Sequence, residues 1–102
     1  MTAEVPEISV EAFASDVTTG RLIDIRERDE FDSGHVRDAV NVPLHELDGA
    51  IPSLRAEQPI FVICRSGNRS RRGAATLRAA GIDAVSVAGG TAEWEASGRE
   101  LL

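Results

Sequence analysis

The feature that most constrains the fold of this chain is a continuous apolar run, Ile60–Ile63, followed at once by Cys64 and a polar loop that contains glycine. A strand that is apolar at every position is typical of the centre of a parallel sheet, where both faces are buried. Beyond the loop, a helical pattern covers about residues 68–80 and ends at Gly81. The segment therefore predicts one strand–loop–helix unit of an α/β domain.

Short apolar segments and helical segments alternate along the remainder of the chain. Strands are predicted over residues 21–26, 39–42 and 84–87, and helical segments over residues 9–16, 27–33, 44–54 and from Thr91 onward. Ser9 is the expected cap of the first helix, and Gly34 the expected end of the second. We expect a turn at Thr19-Gly20 and a loosely ordered tail over residues 99–102. Strands joined by helices predict one parallel sheet covered on both faces.

Length and composition favour a small soluble protein. With 102 residues the chain suits a single core, and we expect residues 1–102 to form one domain. No apolar run is long enough to span a membrane, and because the N-terminal residues are acidic we expect no secretory signal. One cysteine allows no intrachain disulfide, so the expected location is the reducing cytoplasm. A formal charge of −6 argues against a nucleic-acid partner.

The loop after Cys64 has the composition of an anion-binding site around a reactive sulfur. Backbone N–H groups in a loop that opens a helix converge on one point, and the helix N-terminus adds partial positive charge there. A cysteine at that point is expected to have a thiol pKa below its usual value. A buried structural thiol is the alternative. However, residues 65–69 are polar, turn-forming and cationic, which does not suit a core.

Four stretches of this chain resemble, in order and spacing, segments of the rhodanese-like sulfurtransferases, particularly the small single-domain thiosulfate sulfurtransferases. Residues 64–70 are similar to their active-site loop. Residues 22–27 resemble their first strand with its Asp-x-Arg pair, residues 31–43 their Gly-His-Ile-Pro-Gly-Ala-x-Asn-x-Pro segment, and residues 87–94 their closing Gly-Gly-x-x-x-Trp. The chain departs from this pattern at Arg37 and Asp38, where Pro-Gly is usual, and the departure affects a connecting turn.

The resemblance implies a rhodanese-like three-layer fold, with a small, mainly parallel sheet of about five strands and helices on both faces. It implies that Cys64 takes the outer sulfur of thiosulfate, releases sulfite, and passes the sulfur from a persulfide to cyanide or a thiol. The loop residues expected to bind the donor and the persulfide are Arg65, Ser66, Gly67, Asn68, Arg69 and Ser70. Arg65 and Arg69 are expected to hold the sulfonate-like oxygens. The implied chemistry uses no cofactor or metal, and we expect a monomer or a weak homodimer.

Other functions remain open at this point. A persulfide-relay or sulfur-carrier module, acting with partner proteins in thio-cofactor or thio-tRNA synthesis, needs the same cysteine. Phosphatase or arsenate-reductase chemistry uses Cys-x5-Arg, whereas this chain has Cys64-x4-Arg69, and the shorter loop favours a sulfane sulfur over a phosphoryl group. The resemblance also implies thiosulfate rather than mercaptopyruvate as the donor, because Arg65 and Arg69 make the loop cationic, whereas mercaptopyruvate-type loops tend to Gly-Ser-Gly-Val-Thr. A non-catalytic regulatory version of the fold normally lacks the cysteine.

Most of the remaining polar residues have structural interpretations. Asp24 and Arg26 point to the same face of a strand, and we expect them to form an ion pair or hydrogen bonds that tie loops together rather than to act directly in catalysis. We expect His35 to bond to the backbone near the next strand. His45 is expected to be exposed to solvent, and Trp94 to pack in the core.

Two further features lie near the predicted loop. Gly89-Gly90 is placed to crowd the Cys64 pocket. Arg71 and Arg72 fall in the first turn of a helix, where the helix dipole disfavours cations. They either widen the positive field at the pocket mouth, attracting anionic donors, or form a solvated helix face.

Overall fold

The structure is a computed structural model that describes residues 4–16 and 20–102, and it is built on a sheet of five parallel strands. The strands are β1 (Glu7–Ile8), β2 (Arg21–Asp24), β3 (Val40–Asn41), β4 (Ile60–Ile63) and β5 (Ala84–Val87). Their order across the sheet is β1-β5-β4-β2-β3, so β4 lies at the centre with two strands on each side. The predicted parallel sheet and the central position of the apolar run are confirmed.

In the described part of the chain, five α-helices connect and cover these strands. They are α1 (Val10–Asp16), α2 (Arg28–Asp32), α3 (Leu47–Leu54), α4 (Asn68–Ala79) and α5 (Gly90–Ala96), with 3₁₀ turns at Leu44–Glu46 and Arg55–Glu57 on either side of α3. Ser9 caps α1 as predicted, because its Oγ accepts the amide proton of Ala12 at 3.1 Å. Within residues 4–16 and 20–102, no helix is long and apolar enough to cross a membrane.

Helices pack on both faces of the sheet, as the alternation of strands and helices predicts. One core cluster joins the sheet to α3 and α4, and its members include Ile23, Val62, Ala84, Leu47 and Leu77. The other joins the sheet to α1 and α5, and its members include Ile63, Val87, Val10, Phe13 and the partly buried Trp94. Each fully buried aliphatic side chain stabilises the fold by about 1.5–3 kcal/mol, so these two clusters hold the three layers together.

Strand alternation decides which side chains meet behind the end of β4. Successive residues of a strand point to opposite faces. Val62 and Cys64 therefore join the cluster on the α4 face, whereas Ile63 joins the other cluster. In β5, Ser86 points to the α4 face and its hydroxyl reaches Ser70 of α4. The register thus brings Cys64, Ser70 and Ser86 to one side of the sheet.

Some features of the fold differ from the sequence predictions. Strand β1 is not predicted, because two residues carry no alternation; it is defined by its pairing with Ser86 and Val87 of β5. The prediction of a loosely ordered tail is wrong, since Leu102 and His35 exchange two backbone hydrogen bonds of 3.1 and 2.8 Å. Phe61 is half-buried rather than buried. In the predicted turn at Thr19-Gly20, Thr19 lies outside the described residues.

The turn at Arg37 and Asp38 keeps a left-handed backbone although it lacks glycine. Asp38 has a φ of 69°, and it is the one non-glycine residue in the described ranges with a positive φ. Asp occupies this region with less strain than most residues, because its short polar side chain can bond locally, but glycine occupies it without a steric penalty. The turn geometry therefore tolerates the departure from Pro-Gly at a small energetic cost.

Asp38→Gly is expected to raise the free energy of unfolding by about 0.5 kcal/mol, because loss of the Cβ relieves more strain than glycine's entropy costs. Asp38→Val should lower it by about 1 kcal/mol, since a β-branched residue suits positive φ poorly. Urea unfolding of the three proteins measures the order. A Val variant as stable as the Gly variant would show that this turn is not strained.

Candidate active site

Cys64 lies at the carboxyl end of the central strand, the edge at which open α/β sheets bind ligands. Strand β4 ends at Ile63, and α4 begins at Asn68. Gly67 turns the chain into the helix with a φ of 103°, a conformation that glycine adopts without strain. The cysteine is only 1% exposed, so the loop and the start of α4 enclose its sulfur.

Two backbone amides point at this sulfur. The N–H groups of Gly67 and Ser70 donate to Cys64 Sγ at 3.1 and 3.2 Å. They lie at the start of α4, where amides lack helical partners and the helix dipole is positive. Burial acts to raise the pKa of the Cys64 thiol, but the Ser70 hydroxyl and the amides of Ser70, Gly67 and Ser66 outweigh it and hold the pKa below its usual value. The site therefore favours a thiolate.

The Gly89-Gly90 pair packs against the Cys64 loop. The Thr91 amide, at the start of α5, donates to the Cys64 carbonyl at 2.8 Å. A Cβ on Gly90 would lie 2.1 Å from Cys64 O and 2.6 Å from Arg65 O, which leaves no room for a larger residue. Gly90 also has a φ of 59°. The expectation that these glycines crowd the Cys64 pocket is confirmed.

Both arginines that the resemblance assigns to donor binding carry a carboxylate partner. Arg69 makes a bidentate pair with Glu30 of α2, at 2.7 and 3.0 Å, and both side chains are half-buried. Arg65 is exposed and lies 3.3 Å from Glu95 of α5. The sequence does not reveal these partners, because they lie 39 and 30 residues away along the chain. The positive charge open to a donor is therefore smaller than the loop composition indicates.

The pair with Arg69 lowers the pKa of Glu30 to about 2. The hydrogen bond from Arg69 is the main cause; partial burial opposes it, and the Glu27 amide adds to it. The folded-state pKa thus lies below the usual value of about 4.3 for a glutamate. The pair accordingly stabilises the fold fully above about pH 4.5, and this stabilisation is lost as the pH falls toward the folded-state pKa.

Glu30→Gln is expected to lower the free energy of unfolding at pH 7 by about 1 kcal/mol, a figure reduced for solvent screening because the paired side chains are 34% and 35% exposed. The difference between wild type and variant should shrink between about pH 4.5 and 2. Urea unfolding across this range measures it. Glu46→Gln, which breaks the more exposed pair with Arg28, is the control and should change stability less. A difference that does not vary with pH would contradict the linkage.

Asp24 and Arg26 form the ion pair that the sequence predicts, and it is buried. Arg26 Nη2 donates to Asp24 Oδ2 at 2.8 Å, and the side chains are 4% and 0% exposed. Arg26 also donates to the Gly34 carbonyl at 2.7 Å, and Asn41 Nδ2 of the side chain donates to the backbone carbonyls of Asp24 and Arg26. Asp24 pairs in register with Ile63, the residue before Cys64. The ion pair therefore ties the end of β2 to the Gly34 turn and β3, beside the cysteine.

His35, His45 and Trp94 take structural or exposed positions. His35 Nδ1 lies 3.0 Å from the Phe31 carbonyl, and its ring stacks on Phe31 with centroids 3.9 Å apart. Its side-chain partner is thus the preceding helix, not the next strand as predicted. His45 is exposed, as expected, and the partly buried Trp94 packs edge-on against Phe13 of the core cluster on the α1 and α5 face.

The other predicted loop residues face solvent. The side chains of Ser66, Asn68, Arg71 and Arg72 are exposed, and Asn68 Oδ1 accepts a proton from Arg71 Nη2 at 2.9 Å. A cleft of about 470 Å³ opens beside the loop and is lined in part by Arg69 and Arg72. In the described part of the chain, no cluster of three or more His, Cys, Asp or Glu side chains is placed to hold a metal ion.

Comparison with other sequences gives the family of this chain. The sequence profile of the rhodanese-like domain matches residues 9–97. YrkF, a putative sulfur carrier protein of Bacillus subtilis, is 33% identical over 96 residues, which cover 90% of this chain and 52% of YrkF. The chain thus spans about half the length of that relative. GlpE, a thiosulfate sulfurtransferase of Pseudomonas savastanoi, is 35% identical over 77 residues, which cover 74% of this chain and 73% of GlpE.

Solved structures agree with the sequence relatives. A rhodanese-related protein from Thermoplasma volcanium superposes with a TM-score of 0.87 at 28% identity, over 95% of this chain and 97% of that one. A human single-domain sulfurtransferase superposes with a TM-score of 0.79 at 26% identity, over 91% and 97% of the two chains. The fold is thus that of the rhodanese-like proteins. The chain belongs to the rhodanese-like domain family.

Proposed function

We propose that this chain moves a sulfane sulfur from thiosulfate to cyanide or a thiol through a persulfide on Cys64. The observation that carries the proposal is the enclosed sulfur with two amides directed at it, from Gly67 and Ser70. That arrangement favours a thiolate, which is the form of cysteine that attacks sulfur. The relative named as a thiosulfate sulfurtransferase supports thiosulfate as the donor.

In the first step the Cys64 thiolate attacks the outer sulfur of thiosulfate. A new S–S bond forms at Cys64, the S–S bond of thiosulfate breaks, and sulfite leaves with the bonding electron pair. Oxidation states are redistributed between donor and enzyme, so no outside oxidant is needed. The loop amides, which already face Cys64 Sγ, stabilise negative charge on the sulfur atoms as the persulfide forms.

In the second step the acceptor removes the terminal sulfur. Cyanide or a thiolate attacks that sulfur, the bond to Cys64 breaks, and the electron pair returns to Cys64 as a thiolate. Thiocyanate or an acceptor persulfide leaves. The lowered pKa of Cys64 helps here as well, because a more stable thiolate is a better leaving group. The enzyme thus alternates between the free thiolate and the persulfide, and each form reacts with one substrate, which is ping-pong catalysis.

We assign the donor site to the loop of residues 65–70 and to the side chains that hold the neighbouring segments in place. Its donor-binding residues are Arg65, Ser66, Gly67, Asn68, Arg69 and Ser70, and its supporting residues are Asp24, Arg26 and His35. Arg69 spends two of its five N–H groups on Glu30, and three remain for an oxyanion. We also propose that residues 1–102 act as one domain, and that the reaction takes place in the reducing cytoplasm, where Cys64 stays unoxidised.

Steady-state kinetics test the donor and the order of steps. Thiocyanate formation from thiosulfate and cyanide should give parallel double-reciprocal lines when both substrates are varied. Cys64→Ser should reduce the rate to the uncatalysed background, because serine offers no thiolate. Intersecting lines would mean that both substrates must bind together. Residual turnover in the Cys64→Ser protein would remove Cys64 from the mechanism.

The second candidate function is a persulfide relay, and one observation favours it. Glu30 and Glu95 each pair with one of the loop arginines. A small dianion such as thiosulfate therefore meets less positive charge at the loop than the two arginines alone would provide. A relay that receives sulfur from another protein's persulfide does not need that charge. The relative YrkF, which is named a putative sulfur carrier protein, supports this second candidate function.

Comparing two donors separates the candidates. The protein is offered thiosulfate or a low-molecular-weight cysteine persulfide, and loading of Cys64 is followed for each. Efficient loading from thiosulfate supports the enzyme. Loading from the persulfide alone supports the relay and excludes thiosulfate as the donor.

A further inference from the structure

Ser86 lies behind the active-site sulfur, and neither sequence nor resemblance marks it. It belongs to β5 and is 0% exposed. Its Oγ lies 2.7 Å from the Oγ of Ser70, which is also fully buried. Ser70 in turn presents its backbone amide to Cys64 Sγ at 3.2 Å. A chain of two buried hydroxyls therefore runs from the sheet to the residue that faces the sulfur.

The direction of the hydroxyl–hydroxyl bond follows from counting protons. Each serine hydroxyl has one proton to donate. Ser70 Oγ has a second acceptor at 3.0 Å, the carbonyl of Gly67. For Ser86 Oγ, the partner found within residues 4–16 and 20–102 is Ser70 Oγ alone. If Ser70 donated to Ser86, the Ser86 proton would be buried without an acceptor, which is unfavourable. Ser86 therefore donates to Ser70.

Because Ser86 donates to Ser70 Oγ, the hydroxyl proton of Ser70 is available to either of two acceptors. One is the Gly67 carbonyl, which also accepts the Arg71 amide proton at 3.1 Å and so stays bonded when Ser70 turns away. The other is Cys64 Sγ, because the Ser70 hydroxyl contributes to the lowered pKa of that thiol, and a charged sulfur is a stronger acceptor than a neutral carbonyl. When Sγ becomes a thiolate, the Ser70 proton turns to it. Both protons stay on their own oxygens, and only the hydrogen-bond partner changes.

We propose that Ser86 is a positioning residue for the Cys64 thiolate: by donating its proton to Ser70 Oγ, it directs the Ser70 proton to the charged sulfur. The effect applies wherever Sγ carries charge. In the proposed function, on which the catalytic consequence rests, those are the two moments when Cys64 attacks the donor and when it leaves the acceptor. The hydrogen-bond geometry of the resting protein does not depend on that function.

The thiolate titration of Cys64, without any sulfur donor, tests the proposal. The chain has one cysteine, so the ultraviolet absorbance of the thiolate reports that group alone. Ser86→Ala should raise the thiol pKa by about half a unit and Ser70→Ala by about one unit, as expected for loss of a modest hydrogen bond. The double variant should match Ser70→Ala alone, because Ser86 acts through Ser70.

Two further variants isolate the hydroxyl. Ser86→Thr and Ser86→Val have the same shape, and only Thr keeps the hydroxyl; the pKa should be lower in the Thr protein. Thr91→Val is the matched control, since the Thr91 backbone amide bonds the Cys64 carbonyl, whereas its buried Oγ1 has no hydrogen-bond partner among the described residues. It should leave the thiol pKa unchanged. Unfolding curves check that each variant is folded.

Two results would overturn the proposal. The first is equal thiol pKa values in the Ser86→Thr and Ser86→Val proteins, or in wild type and Ser86→Ala. The second is a double variant whose shift equals the sum of the two single shifts, which would mean that Ser86 acts without Ser70. A failure of sulfur transfer in wild type, with the pKa shifts intact, would instead count against the proposed function alone.

Discussion

Replacing Gly90 with alanine is expected to abolish sulfur transfer and to lower the free energy of unfolding by about 3 kcal/mol or more. The new Cβ would lie 2.1 Å from Cys64 O and 2.6 Å from Arg65 O, and both are backbone atoms that cannot rotate aside. The left-handed φ of 59° adds strain. The loop and the start of α5 must separate, which moves the amides away from the Cys64 sulfur. Urea unfolding and thiocyanate formation measure the two effects.

Gly98→Ala is the control for the Gly90 substitution. Gly98 has a φ of 87°, so alanine there carries similar backbone strain, but a Cβ would meet nothing within 4 Å. This variant should lose about 1–2 kcal/mol of stability and keep full activity. If Gly90→Ala and Gly98→Ala behaved alike, the close approach of the glycine turn to Cys64 would have no role.

Arg26→Met is expected to lower the free energy of unfolding by about 3–5 kcal/mol, because it leaves the Asp24 carboxylate buried without its partner. The change also removes the donor to the Gly34 carbonyl. Activity should fall with stability, since the end of β2 lies beside Ile63 and the Cys64 loop. Thermal and urea unfolding give the stability, and the thiocyanate assay at a permissive temperature gives the activity.

The double variant Asp24→Leu/Arg26→Met separates burial of a lone charge from loss of the pair. Apolar residues that replace a whole buried ion pair often restore stability, so the double variant should be more stable than Arg26→Met. Arg28→Met, which removes an exposed partner of Glu46, is the control and should have little effect. A loss below about 1 kcal/mol in Arg26→Met would contradict the argument that the buried pair holds this corner together.

Features of the fold that depend on local sequence were predictable. The apolar run Ile60–Ile63 indicates the central strand because each position is apolar, and Ser9 indicates a helix start because its side chain can bond a free amide. Strand β1 and the position of the C-terminal residues 99–102 were not predictable, because both depend on backbone hydrogen bonds to distant residues, in β5 and at His35. Two residues of strand carry no pattern of their own.

The same distinction between local and long-range features applies to the candidate active site. The position of Cys64 and the direction of the loop amides follow from a strand, a glycine turn and a helix start, which are contiguous in sequence. Glu30, Glu95 and Ser86 come from other elements and reach the loop only in the folded chain. Periodicity places each of them on its own element. It does not tell which element packs against the loop.

The central claim is that Cys64 carries the transferred sulfur, and intact mass of the reduced protein after incubation with thiosulfate tests it most directly. We expect the mass to rise by one sulfur atom with release of one sulfite, the added sulfur to be lost on addition of cyanide, and the Cys64→Ser protein to show no change. An unchanged mass without sulfite release would contradict thiosulfate as the donor. A sulfur adduct that persists in the Cys64→Ser protein would contradict the claim itself.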